Sequence, residues 1–155
     1  MKPYLLTGLC STFGGPNDKG VKPSEDLALY DSSNFKQAPA GLFLSSQPSG
    51  TTGTARRLNP AALYCAIRFA AHDWLRSHRF PGLGVCLPIT TPPAWLRTHT
   101  LKLTQPKHPG MTPVDVHVVD WGPNSDTGRM IDLSPGAATA LGVGTDDEVQ
   151  MEIDL

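Results

Sequence analysis

No run of Lys or Arg stands out in these 155 residues; the nearest is Arg56-Arg57, and the net charge is −1 with His neutral. Nucleic-acid binders carry a basic patch or stripe, so nucleic acid is not the expected partner. No stretch approaches the ~18 apolar residues that a membrane-spanning helix needs, so no membrane span is expected. Three cysteines are present, Cys10, Cys65 and Cys86, without CxxC or Cys/His ligand spacing. A zinc site is therefore not expected, and the reading includes no metal or cofactor. An odd count allows at most one internal disulfide. Buried thiols acting as small hydrophobes are the favoured reading, and a Cys65–Cys86 bridge is the alternative in an exported protein. The first ten residues superficially suggest a lipoprotein signal. Their apolar core is too short, however, and Leu9 stands where a small residue should precede the cysteine, so they read as a first strand.

Apolar residues make up 39% and charged residues 17%, both low for a globular domain, while Gly and Pro number 15 each. That composition is loop-rich, yet the apolar runs between the breakers are regular. The length suits one domain, residues 1–155, with a single buried core built from many short strands and long connections. Residues 4–13 form a strand followed by the turn chemistry of Gly14-Gly15-Pro16-Asn17-Asp18. Residues 27–30 are a second brief apolar run. Residues 31–57 have little periodicity, and they and residues 71–97 read as insertions.

Residues 61–69 are ambiguous. Asn59-Pro60 is a fair helix start, but Leu63, Cys65, Ile67 and Phe69 alternate with Tyr64, Ala66 and Arg68, and the strand reading is favoured. Residues 71–78 form a helical turn, and residues 92–96 a short helix capped by Thr91. Strands follow around Leu101 and Leu103, around Val114, Val116 and Val118 with Asp115, His117 and Val119 on the other side, and at residues 129–133. Ser134 caps a helix with Pro135 at its first position and Gly142 past its end. Val149, Met151 and Ile153 alternate in a closing strand.

The ordered series Val116-His117-Val118-Val119-Asp120-Trp121-Gly122-Pro123, Thr127-Gly128-Arg129-Met130-Ile131-Asp132-Leu133-Ser134, Ala137-Ala138 and Leu141-Gly142 resembles the rare-lipoprotein-A family. That family has a strand, an Asp-x-Gly-Pro turn, Gly-Arg-x-Ile-Asp-Leu-Ser and a small Ala-rich helix. The match covers roughly 40 residues. A weaker echo, Ser11-Thr12-Phe13-Gly14-Gly15-Pro16, is similar to the family's first strand, with Phe13 as its aromatic. The resemblance implies a mainly β chain, a six-stranded double-psi β-barrel with short helices and long loop insertions. It also implies relatives among expansins, barwin-like proteins, family-45 endoglucanases and lytic transglycosylases, and a groove that holds a polysaccharide. An extracytoplasmic location and a monomer acting on peptidoglycan or another polysaccharide follow as expectations.

Glycan cleavage needs a carboxylic acid to protonate the glycosidic oxygen, and hydrolysis adds a second carboxylate. Asp132, in the Asp-Leu-Ser position, is the leading acid; the alternative is that it pins the barrel crossing by accepting backbone N–H bonds. Asp120 is expected to line the groove or to close its strand as an Asx-type cap. Glu25 is the candidate from the N-terminal half, where Asp18 and Asp26 read as solvated acids. The family's transglycosylases carry an Ala-Ala-His segment after those acids; here Ala70-Ala71-His72 lies far downstream, a departure from that pattern. Arg129 can hold Asp120 or Asp132 in a bidentate pair. Trp121, Arg129, His117 and Phe13 form the expected ligand-binding set, and Trp74 and Trp95 are weaker sugar-platform candidates. Three roles remain open: a lytic transglycosylase, a non-catalytic expansin-like binding module, and a secreted or phage lysis-associated effector.

Overall fold

A computed structural model describes residues 4–13, 27–30, 34–44, 58–69, 93–123 and 127–154. Its strands are β1 (Tyr4–Thr12), β2 (Tyr64–Ile67), β3 (Thr100–Thr104), β4 (Val114–Trp121), β5 (Arg129–Leu133) and β6 (Glu148–Ile153). Two short α-helices accompany them, α1 (Pro93–Arg97) and α2 (Pro135–Leu141). The strands close into a barrel in the order β1-β5-β2-β4-β3-β6, the mainly β, six-stranded architecture expected. Closure leaves no sheet edge to be managed. The pairs β1–β5 and β2–β4 are parallel and the other four antiparallel. The strand order maps onto itself when β1, β2 and β3 exchange with β4, β5 and β6, an internal two-fold that no sequence repeat betrays.

The core is the barrel interior. Leu101 and Leu103 of β3, Ile131 and Leu133 of β5, and Val149 and Met151 of β6 are fully buried. Their period-two spacing is the pattern that marked these segments as strands. Residues 64–67 are a strand, not the continuation of a helix started at Asn59; Asn59 instead closes a turn, its Oδ1 accepting from the Ala61 amide.

Each parallel pair carries a register shift. Cys65 faces Val118 and Ala66 faces Asp120, so Val119 is an extra residue on β4. Leu9 faces Arg129 and Cys10 faces Ile131, so Met130 is extra on β5. Val119 was expected on the outward side with Asp115 and His117, but it is fully buried. A bulge reverses the alternation beyond it, which accounts for the difference.

Helix α2 starts as its sequence dictates. The Ser134 side chain accepts from the Ala137 amide, Pro135 takes the first position, and Gly142 ends the helix at φ 72°. Residues 27–30 form no strand. They lie against β4, with the Leu29 amide bonded to Val119 O at 3.2 Å. Among the described residues no helix is long and apolar enough to cross a membrane.

Candidate active site

Four side chains stand in one row across four strands. Ser11 on β1 faces Asp132 on β5, Asp132 faces Ala66 on β2, and Ala66 faces Asp120 on β4. Directly facing residues project to the same side of a sheet. The residues beside them in sequence, Cys10, Ile131 and Ile67, are fully buried in the interior, so the row points outward. Both carboxylates are half-buried, and the small Ala66 between them is 2% exposed. Two inter-strand spacings place the Cα atoms of Asp120 and Asp132 about 10 Å apart.

Each carboxylate has a defined anchor. Ser11 Oγ donates to Asp132 Oδ1. Asp120 Oδ1 accepts the Ala28 amide at 2.9 Å and the Trp121 amide at 2.9 Å. Asp120 thereby closes its strand as an Asx-type cap and also holds residues 27–30 on the barrel. The Asp-x-Gly-Pro turn brings Gly122 over Asp132. Gly122 adopts φ 144°, and a Cβ there would lie 3.8 Å from Asp132 Oδ2. A side chain at this position would strain the backbone while its Cβ made ordinary contact with the carboxylate.

No protein-family model matches this chain, and none of the curated proteins matches it.

The remaining candidates fall in different places. Arg129 binds neither Asp120 nor Asp132. Its Nε donates to Asp146 Oδ1 at 2.8 Å and its Nη2 to Asp146 Oδ2 at 3.3 Å. The cause is local. Cys10 exchanges backbone bonds with Asp146 and Asp147, which brings that loop beside Arg129, the partner of Leu9. The guanidinium holds the Asp146 carboxyl below its ordinary range. Trp121 is 8% exposed and its indole N–H donates to Phe69 O at 3.0 Å. It packs the barrel mouth, with too little ring surface exposed for a sugar to stack on.

Phe13 is half-buried two residues beyond Ser11, with its ring edge-to-face against Tyr64 at 5.3 Å. Trp95 stacks on His99 at 3.7 Å, outside the row. Glu25, Asp18, Asp26, Trp74 and the Ala70-Ala71-His72 segment lie outside the described residues, as does Cys86. Cys10 is a buried thiol donating to Gly144 O, and burial together with the Asp147 charge pushes its pKa up, away from reactive thiolate character.

His117 also faces outward on β4 but borders a separate cleft of about 360 Å³ with residues 39–42, Asn59 and residues 61–63. Its Nδ1 is buried without a partner among the described residues, and desolvation lowers its pKa. The imidazole is therefore neutral near pH 7.

Sequence reasoning gave no site role to Ser11, Ala66 or Arg68. The alternation of residues 63–69 already placed Tyr64, Ala66 and Arg68 on one side. The signal missing was which strands flank that side.

Proposed function

We propose that this chain is a relative of the rare-lipoprotein-A barrels that acts on a cell-wall glycan, peptidoglycan in the first instance, outside the cytoplasm. The observation that carries the reading is the outward row of Ser11, Asp132, Ala66 and Asp120. Two acidic side chains from different crossing segments stand on either side of Ala66, and a glycan strand lying across β5, β2 and β4 would meet both. Asp132 is the proton donor to the glycosidic oxygen, with Ser11 fixing its orientation. Asp120 is the second carboxylate, held rigid by its two amides.

Retaining glycosidases hold their carboxyl groups ~5–5.5 Å apart and inverting ones ~6.5–9.5 Å apart. Cα atoms about 10 Å apart allow the carboxyl groups of Asp120 and Asp132 to stand several ångströms nearer or farther, so the strand spacing selects neither. A single acid suffices where the sugar's own hydroxyl displaces the leaving group, which is lytic transglycosylation, the reaction that the family resemblance favours.

One observation favours a second reading, a binding module without turnover: Asp120 Oδ1 is occupied by backbone amides in the manner of a structural cap. Incubation with peptidoglycan sacculi and mass spectrometry of the soluble fraction separates the two. Anhydro-muropeptides released by the wild type, lost by at least 100-fold in Asp132→Asn with sacculus binding retained, are expected for the enzyme. Binding without soluble product leaves the module. Unchanged turnover in Asp132→Asn removes Asp132 from the chemistry.

A further inference from the structure

The residue after β2 ties together the two segments that carry the carboxylates. Arg68 Nη1 donates to Pro123 O at 2.7 Å and to Arg129 O at 2.7 Å. Pro123 lies three residues past Asp120, and Arg129 three residues before Asp132. The chain between those carbonyls is the connection from β4 to β5 that follows the Asp-x-Gly-Pro turn. One guanidinium nitrogen therefore clamps both ends of the connection that separates the two acids.

The clamp has the marks of a dedicated interaction. Bonds from a guanidinium to carbonyl oxygens are charge-assisted, and 2.7 Å is at the short end of their range. Arg68 Nε is buried and has no partner among the described residues, so the side chain gives up hydration to hold this position. The Gly122 amide adds a bond to Ile67 O at 3.2 Å, binding the same turn to the end of β2. Continuing the alternation of β2, Arg68 projects to the side of Ala66, the side of the carboxylate row.

We infer that Arg68 is a positioning residue that sets the separation and orientation of Asp120 and Asp132, acting through the Pro123 and Arg129 carbonyls. The inference rests on the proposed function for its consequence in turnover, while the geometry it claims stands apart from that function. A lysine in its place keeps the charge, but its ammonium ends a shorter, flexible stem and does not hold one nitrogen rigidly between the two carbonyls. A glutamine loses the charge as well.

The test compares wild type, Arg68→Lys and Arg68→Gln in two measurements. The first is steady-state cleavage of sacculus-derived glycan strands. Arg68→Lys is expected to lower kcat at least tenfold with KM within about twofold, because glycan contacts are kept and the acid is misplaced. The second is a carboxyl NMR titration of Asp120 and Asp132, which reads their surroundings whether or not any glycan is cut. Both titration midpoints are expected to move by at least half a pH unit in Arg68→Lys, where the charge is kept and a movement reports the placement of the carboxylates.

Moved midpoints in a protein that releases no product support the clamp while sinking the glycan-cleavage reading. Unmoved midpoints with wild-type kcat in a folded Arg68→Lys protein overturn the clamp and leave the glycan reading intact. Should Arg68→Gln fail to fold, the Lys variant alone decides, because it retains both charge and donors.

Discussion

Replacing Ser134 with Ala tests how the barrel crossing is held. Ser134 is fully buried, and its Oγ makes three bonds: it accepts the Ala137 amide at 3.0 Å and the Tyr64 amide at 3.2 Å, and donates to Ala62 O at 2.7 Å. The first is the N-cap of α2, worth about 1 kcal/mol. The other two join the end of β5 to the start of β2, and each buried group deprived of its partner costs about 1–3 kcal/mol before relaxation. Partial repair by water or local shift brings the expected total to about 3 kcal/mol. For a domain of this size that is a fall in Tm of about 6–12 °C, with a proportionate drop in the urea midpoint and an unchanged slope. Thr98→Ala is the control: its hydroxyl makes a bond of similar length, 2.9 Å to Trp95 O, but is exposed, and it should cost no more than about 0.5 kcal/mol. A Ser134→Ala loss no larger than that of Thr98→Ala, measured by urea unfolding, would refute the claim that burial multiplies the worth of these bonds.

Two further outcomes are expected. Gly136→Ala places a Cβ 2.6 Å from Ala61 O and 3.0 Å from Ala62 O, both backbone atoms that cannot swing aside, so it should destabilise by about 1–3 kcal/mol in the same unfolding assay despite the better helix propensity of Ala. His117 titrates below its unfolded value because burial disfavours the imidazolium, with the Asp115 charge opposing only in part. The unfolded chain therefore binds more protons over the window below about pH 6.5, and stability should be full above that value and fall as pH drops through it. His117→Gln should flatten that limb of the stability–pH curve, and a curve with the same slope in the variant would assign the acid sensitivity to other groups.

Much of the barrel was legible because strands β3 and β6 bury one side only, and β5 alternates beyond its extra residue Met130. Leu101 and Leu103, Ile131 and Leu133, and Met151 and Ile153 announce that side by period two. Helix α2 was legible from chemistry confined to its ends, Ser134 and Gly142. What could not be read was pairing that depends on residues far apart in the chain. Nothing near Arg129 in sequence says that the Asp146 loop will reach it, since the contact is made through the backbone of Cys10. Trp121 looked like a groove residue because it adjoins Asp120 in sequence, yet in a strand adjoining residues face opposite sides, and its ring faces the packed mouth of the barrel.

The bulge at Val119 shows why the carboxylate row resists reading by periodicity. On an unbroken β4, Val116, Val118 and Asp120 would share a side, and that side is the interior, where Val116 and Val118 are buried. Strict alternation therefore sends the Asp120 carboxylate into an apolar core, where an unpaired charge costs several kcal/mol. One extra residue reverses the sense of the strand. It turns Asp120 outward beside Ala66, exposes the Val119 carbonyl to the Leu29 amide, and brings the Ala28 amide within 2.9 Å of Asp120 Oδ1. The bulge, the docking of residues 27–30 and the alignment of Asp120 with Asp132 are thus one structural event. Any account of this face as a glycan site depends on it, because without the reversal the two acids would lie on opposite sides of the sheet.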